Sequence, residues 1–334
     1  MVGGVEVFNE SLRNAFGDVE IFADEQSMNG GTDLQRIGLD QPVRALHAAR
    51  LLLRRHHESP FDVILSNGLS GWPLTLANPG VPLVQVYHNT MAGFARNALE
   101  PRGDRFTTGR VMALFDRLAG LGKCVVGVSQ PVLREVESLY GFRGHLIPNA
   151  VDTDAFRPMD PVRAREAFGV PHHVPVGLFV GRPDRTKGYD ILLRVAEQLP
   201  HVLFLVAGGK REAARNVRSL GKVARKEMPA LYAASDFFFL PSRYEGFSLS
   251  LLEALSCNLP AVVSEAAWPF SEDPSSCGVV VRGNQERSFV RAIKRVLDDP
   301  EGFSPRDFVA HRHNMVVFRE TWRSLVESLL CSGG

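Results

Sequence analysis

Short runs of uninterrupted apolar, β-rich residues recur at 62–66, 81–87, 124–129, 176–180, 202–207, 236–240 and 261–264, and segments of helical period separate them. A strand that is apolar on both faces must be covered on both. The alternation therefore predicts parallel sheets wrapped by helices, a doubly wound α/β fold. At 334 residues the chain exceeds what one core usually organises, and at roughly 150 residues per domain it predicts two. The strand series breaks at Pro148-Asn-Ala-Val-Asp-Thr-Asp-Ala-Phe-Arg-Pro158, where prolines and turn-forming polar residues carry no apolar period. The expected division is a first domain over 1–150, a second over 151–315, and a last helical pattern over 316–330 suited to a return onto the first domain.

Charge and cysteine usage exclude several classes. The 38 basic and 37 acidic residues leave a net charge of +1, so no global field draws the chain to nucleic acid. Cys124, Cys257, Cys277 and Cys331 show no C-x-x-C spacing and no companion histidine cluster. They read as reduced thiols, not as a disulfide framework or a zinc site. No window holds the roughly 18 to 20 apolar residues of a membrane span, and the start lacks a basic region followed by an apolar signal core. The expected location is cytoplasmic.

In open parallel sheets, ligands bind beyond the carboxyl ends of the strands, where loops and helix starts present amide donors. Gly181-Arg-Pro-Asp-Arg-Thr-Lys-Gly188 follows the strand at 176–180 and leads into the helical pattern of Ile191, Leu192, Val195, Ala196 and Leu199. Arg182 offers a planar fork and Lys187 a mobile point charge beside those amides, a combination suited to a diphosphate. A lone Arg and Lys in a loop are more often solvated cations, but a second loop changes the weighing. After 236–240 comes Pro241-Ser-Arg-Tyr-Glu-Gly-Phe-Ser-Leu, then a helix from about Ser250 to Ser256. Glu245 stands ahead of that helix and Glu253 inside it, so the two carboxylates belong to different subsites. Glu253 lies among Leu251, Leu252, Ala254 and Leu255, where an unpaired carboxylate is costly, so it needs a partner.

The pieces gain specificity together. Gly3-Gly4-Val5-Glu6 stands near the start, His88 after a strand, and Ile147-Pro-Asn-Ala-Val-Asp152 at the hinge. Then come Gly181-Arg182 with Lys187-Gly188, Leu231-Tyr-Ala-Ala-Ser-Asp236, and Pro241-Ser242 through Glu253. In this order they resemble the retaining glycosyltransferases of family 4 over nearly the whole chain. The resemblance implies a GT-B fold, two Rossmann-like domains facing a central cleft. It also implies transfer of a hexose-type sugar from a nucleoside-diphosphate sugar to a hydroxyl acceptor, whether glycan, lipid-linked glycan or small molecule, with no metal and no other cofactor. Arg182 and Lys187 would grip the diphosphate and stabilise charge growing on the leaving nucleotide. Glu253 would accept the ribose hydroxyls, and Glu245 would orient the sugar. Amides around Gly246, Phe247, Ser248, Leu249 and Ser250 would add donors, Lys222 and Val223 would lie by the base, and His88 would reach the sugar from the other domain. No carboxylate is implied as a covalent nucleophile; a same-face displacement, with the leaving phosphate helping to deprotonate the acceptor, is implied instead.

Two motifs mislead. Asp152-Thr-Asp154 has the D-x-D form of a metal site but continues the hinge motif, where its carboxylates suit turn capping. Gly181 to Lys187 lacks the Gly-Lys-Ser/Thr ending of a Walker loop, and no G-x-G-x-x-G fingerprint occurs. Departures from the family pattern are Ala150 in place of glycine, a stretch from Gly209 to Gly221 too short for a full helix, and Ser264-Glu-Ala-Ala-Trp-Pro-Phe-Ser-Glu-Asp273 in place of a Gly-rich loop. Only Met1-Val2 precede Gly3-Gly4, where the family has its first strand, so that strand is expected to be missing, by a start further upstream or a rearranged sheet.

Gly3 and Gly4 are the expected acceptor contacts, since they allow close backbone approach. Arg44, Arg50, Arg54 and Arg55, with Leu46, Leu51, Leu52 and Leu53, suit an anionic membrane surface. So does the stretch with Arg102, Arg105, Arg110 and Arg117. The pattern of the first group fits better a sheet-covering helix with cations at its end. The alternatives to transfer are a non-catalytic binder of sugar nucleotides and a GT-B-like epimerase.

Overall fold

In the computed structural model, which describes residues 4–22, 40–97, 108–209 and 214–332, the chain divides into two compact units. One comprises Phe8–Pro148 with Phe318–Gly334, the other Asn149–Val317 with Met1–Val7.

The N-terminal unit holds β1 (Ile64–Asn67), β2 (Leu83–Tyr87), β3 (Cys124–Gly127) and β4 (His145–Leu146), all parallel and in the spatial order β1-β2-β3-β4. Val84, Val86 and Tyr87 are fully buried, as an apolar central strand requires. The helices are α1 (Gly4–Phe16), α2 (Asp40–Glu58), α3 (Trp72–Ala77), α4 (Met91–Asn97), α5 (Ala113–Gly120) and α6 (Gln130–Tyr140). Among the described residues no strand precedes α1. β1 is accordingly an edge strand. Ile64 donates to Pro82 O at 3.0 Å on the β2 side, so by the alternation of a parallel ladder Val63 and Leu65 turn their backbone groups the other way. A cavity of about 720 Å³ opens there, lined by Leu12 and Phe16 of α1, Ala49 and Leu52 of α2, and the strand itself.

The C-terminal unit holds β5 (Val176–Val180), β6 (Leu203–Ala207), β7 (Val217–Gly221), β8 (Phe237–Leu240), β9 (Ala261–Ser264) and β10 (Gly278–Val281), parallel throughout, in the order β10-β9-β8-β5-β6-β7. Its helices are α7 (Pro161–Ala167), α8 (Tyr189–Gln198), α9 (Met228–Ala233), α10 (Leu249–Ser256), α11 (Glu286–Asp298) and α12 (Pro305–Arg312). The last helix, α13 (Met315–Ser332), runs on into residues of the N-terminal unit, where Trp322 is fully buried and meets Phe8 edge-on at 5.9 Å. Phe237, Phe238, Phe239 and Leu240 are fully buried, with Phe204 edge-on to Phe237 at 6.1 Å and Phe289 edge-on to Phe239 at 5.6 Å. Gly177 makes room for this packing, since a Cβ there would stand 2.5 Å from the Phe237 ring.

This strand order positions the site. From β5 the chain builds outward to β6 and β7, then returns to lay β8 against the other side of β5. The loops after β5 and β8 therefore diverge at a topological switch point, where open α/β sheets bind ligands. The sequence reading missed β4, β7 and β10, short strands at or next to a sheet edge. β7 carries Arg218 and Ser219, and only its ends are buried.

Candidate functional site

The loops after β5 and β8 are drawn together at Gly188. Its φ is +73°, a left-handed conformation natural to glycine. A Cβ there would stand 2.0 Å from Pro241 O. Arg243 ties the same two loops: its amide donates to Thr186 O at 2.8 Å, and its guanidinium grips Asp190, at the start of α8, through two bonds of 2.6 and 2.7 Å. Burial alone would raise the Asp190 pKa, but the hydrogen bonds from Arg243 and Arg194 outweigh it and the carboxyl is held below its ordinary value.

Within this junction the structure brings together Lys187 and Glu245. Lys187 Nζ donates to Glu245 Oε1 at 2.6 Å, and Ser242 Oγ donates to the same oxygen at 2.8 Å. The Lys187 amide is held by Asp184 Oδ1 at 3.0 Å. Arg182 stands in the same loop but is 73% exposed, with Asp184 Oδ2 at 3.4 Å. The β5 loop thus carries a lysine held to Glu245 of the β8 loop, and beside it an exposed guanidinium.

The stretch after Glu245 serves the backbone. Phe247 turns inward, meeting Phe270 at 5.6 Å and His313 at 6.4 Å. Trp268 and Phe270, from the 264–273 segment that departs from the family pattern, build this aromatic cluster with Phe308. Ser248 caps α10 by accepting the Leu251 amide at 3.3 Å, and Ser250 Oγ donates to Val180 O at 3.3 Å, tying the helix start to the end of β5. Gly246 and Leu249 lie in the same turn, Leu249 opening α10.

Glu253 has the partner its apolar neighbours demand, in fact two. Arg225 Nη1 donates to Oε1 and the Tyr232 hydroxyl to Oε2, both at 2.9 Å. Burial raises the Glu253 pKa, and Arg225 followed by Tyr232 oppose the rise. Arg225, which sequence reasoning did not single out, lies in a 3-10 turn three residues beyond Lys222. Its only sequence signal is that a buried carboxylate requires a cation from somewhere, and here it comes from 28 residues upstream. Lys222 is exposed and Val223 buried, at the end of β7.

His88 and Gly4 belong elsewhere in the chain: His88 directly follows β2 and Gly4 opens α1, while Gly3 lies outside the described residues. His88 Nε2 lies 3.0 Å from Asn67 Oδ1, and its ring meets Phe8 edge-on at 4.7 Å. Desolvation lowers its pKa to about 4, so it is neutral near pH 7. Nearby, buried Asp116 accepts from the Tyr140 hydroxyl at 2.6 Å and the Met91 amide at 2.9 Å, fixing the turn from His88 into α4. In α2, Arg50, Leu51 and Arg54 are exposed together; Arg102 and Arg105 lie outside the described residues. At the hinge, Asp152 Oδ1 accepts the amides of Asp154 and Ala155, each at 3.0 Å, which is turn capping. Among the described residues no group of three or more His, Cys, Asp or Glu is placed to hold a metal, and no helix is long and apolar enough to cross a membrane.

Residues 174–299 match the family described as Glycosyl transferases group 1, and residues 2–155 match Glycosyltransferase Family 4. The D-inositol 3-phosphate glycosyltransferase 1 of Catenulispora acidiphila is 30% identical over 256 residues, which cover 68% of this chain and 61% of that protein. The chain thus spans less than two thirds of that relative's length. Among solved structures, sucrose-phosphate synthase from Thermosynechococcus elongatus has a TM-score of 0.83 at 19% identity, over 99% of this chain and 94% of that one. HepE from Anabaena, in complex with UDP and glucose, has a TM-score of 0.75 at 19% identity, over 98% and 96%. At these identities the likeness is one of fold, two parallel-sheet α/β domains of the GT-B type.

Proposed function

The chain belongs to glycosyltransferase family 4, and we propose that it transfers a hexose-type sugar from a nucleoside-diphosphate sugar to a hydroxyl acceptor, with retention of configuration and without a metal. The observation that carries this reading is the constellation at the switch point between β5 and β8: Arg182 and Lys187 on one loop, Glu245 on the other, and Glu253 on the helix that follows. A diphosphate is the ligand two such cations and a helix start suit best. HepE, the Anabaena neighbour, holds UDP and glucose, and a uridine or related nucleotide is the proposed donor carrier here.

The chemistry follows from charge. As the bond to the sugar breaks, negative charge grows on the leaving diphosphate, and Arg182 with Lys187 stabilises it where it develops. Lys187 exchanges its bond to Glu245 for one to phosphate, which leaves the Glu245 carboxylate to accept from hydroxyls of the sugar and orient its anomeric carbon. The acceptor hydroxyl attacks from the face the diphosphate leaves, and a phosphate oxygen takes its proton. For His88, uncharged near pH 7, the family resemblance implies hydrogen bonding to the sugar. The acceptor class is a cyclic polyol hydroxyl, by analogy with the D-inositol 3-phosphate named for the relative. The proposed location is cytoplasmic, with peripheral membrane contact through the face of Arg50, Leu51 and Arg54.

The test is incubation with UDP-, GDP- and ADP-sugars, with and without inositol phosphate and a panel of other hydroxyl acceptors. Nucleotide release that depends on acceptor, with a product of unchanged anomeric configuration by NMR, supports the reading. A changed sugar would make the protein an epimerase, and binding with no turnover a sugar-nucleotide receptor.

A further inference from the structure

We propose that the cavity beside β1 is a docking slot for an extended, uncharged apolar segment of a partner polypeptide, which pairs with β1 as one further strand of the N-terminal sheet. The slot lies wholly within Phe8–Pro148 and Phe318–Gly334, apart from the switch-point loops.

Its form follows from the pleat of β1, in which successive side chains point to opposite faces. Ile64 packs with Ala49 of α2 and Leu74 of α3 in one cluster. The Asn67 side chain, three residues on and so on the other face, donates to Asn9 Oδ1 of α1 at 3.3 Å. Helices α1 and α2 therefore cover opposite faces of β1. Leu12 and Phe16 from α1, and Ala49 and Leu52 from α2, go on to line the space beyond its edge. Residues 18–22, which follow α1, line the same space and pair with no strand among the described residues. Side chains hold them in place: Arg55 Nη2 donates to Glu20 Oε1 at 2.6 Å, and Phe22 meets Phe61 edge-on at 5.9 Å.

The backbone of β1 decides between occupants. Val63 and Leu65 each turn an N–H and a C=O away from β2, and among the described residues nothing pairs with them. An acyl chain or a sterol matches the leucine and phenylalanine lining but leaves these groups without partners in a dry site, which is costly. An added strand meets them in ladder geometry and packs its side chains against the same lining. Because helices cover both faces, successive residues of that strand must be apolar, and a charge on either face is excluded. Proline is excluded as well, since it lacks the N–H that the edge carbonyls need. β1 spans four residues, so a run of about five residues, ~17 Å of extended chain, completes the edge.

The experiment titrates the full chain with a panel of acetylated, amidated peptides, each carrying about five consecutive valine, isoleucine or leucine residues between terminal lysines, and reads amide hydrogen exchange. At saturation by at least one peptide the Val63 and Leu65 amides should exchange on the order of 10-fold or more slowly than in the free chain. The same peptide methylated on every backbone nitrogen of the apolar run keeps its side chains but loses its donors, and should bind on the order of 10-fold or more weakly. Leu52→Trp narrows the slot and should weaken the unmethylated peptide to a similar extent; the methylation comparison uses the wild type and stands whether or not that variant folds. Equal binding of the methylated peptide, or no slowing at Val63 and Leu65 with any peptide of the panel, overturns the proposal. Sodium dodecanoate that displaces the peptides and binds more tightly than all of them would make the cavity a site for an apolar tail, and overturns it too.

Discussion

Glu245 shares one oxygen between Lys187 and Ser242, and that sharing makes its substitution diagnostic. In Glu245→Gln the lysine loses its ion pair and becomes freer for phosphate, so nucleotide affinity should stay unchanged or tighten while turnover falls on the order of 100-fold, the scale of one misplaced electrostatic contact in the transition state. Arg182→Ala should weaken nucleotide binding by roughly 10- to 100-fold and lower turnover too, since among the described residues the exposed guanidinium has only Asp184 at 3.4 Å to leave. Calorimetry beside steady-state kinetics separates the two; equal loss of nucleotide affinity in both variants would sink the assignment of roles. His313 supports a prediction about pH. It is buried among Phe247, Phe270 and Phe308, neither ring nitrogen has a hydrogen-bond partner among the described residues, and burial lowers its pKa to about 4. The unfolded chain, with an ordinary histidine near 6.5, binds more protons between pH 6.5 and 4, so stability is lost as pH falls through that window, by roughly 3 kcal/mol at most from this residue. His313→Leu removes that loss. Urea unfolding should therefore show the variant gaining on the wild type as pH drops from 7 to 4.5, and a constant difference would show that the imidazole is not buried neutral.

Among the elements, β1 is an edge strand within the described residues that borders a cavity. Val63 and Leu65 turn their backbone groups to a cavity of about 720 Å³, whereas Val84 and Val86 of β2 lie fully buried between two strands. Hydrogen exchange should follow: the Val63 and Leu65 amides are expected to exchange at least 10-fold faster than those of Val84 and Val86, because exchange at an unpaired edge needs no unfolding of the sheet. Equal protection would mean that the edge is covered. What could be read in advance divides along the same physical line. β5 and β8 were legible because Val176 to Val180 and Phe237 to Leu240 are buried at every position, and a short, continuously apolar run marks a strand covered on both faces. β7 was not, because Val217-Arg-Ser-Leu-Gly221 is buried only at its ends and reads as a turn. The two loops that carry Lys187 and Glu245 were legible as following strands. That they meet at one point depends on Gly188 fitting against Pro241 O and on Arg243 reaching Asp190 across the chain. Arg225 escaped for a related reason: from a 3-10 turn it meets Glu253 of α10 across 28 residues of chain, a pairing that no spacing in the sequence marks.

For the whole molecule, the division into two units separates two kinds of stability. The switch-point constellation of Arg182, Lys187, Arg225, Glu245 and Glu253 lies wholly within Asn149–Val317, on a sheet of six strands with its own core of buried phenylalanines. The four-stranded sheet of Phe8–Pro148 has a separate cluster around Ala49, Ile64 and Leu74. A ligand stabilises only the cooperative unit whose native state binds it, by RT ln(1 + [L]/Kd), which is about 2.7 kcal/mol at a hundredfold excess over Kd. Calorimetric unfolding of the full chain is therefore expected to show two transitions, and a saturating nucleoside diphosphate should raise the one belonging to the C-terminal unit while the other moves little. Hydrogen exchange can assign them, since the added protection should fall on 181–188, 225–232 and 241–253. Equal displacement of both transitions would show that the units unfold as one. Protection confined to the N-terminal unit would place the nucleotide on the wrong sheet and remove the basis for assigning the β5 and β8 loops to the donor.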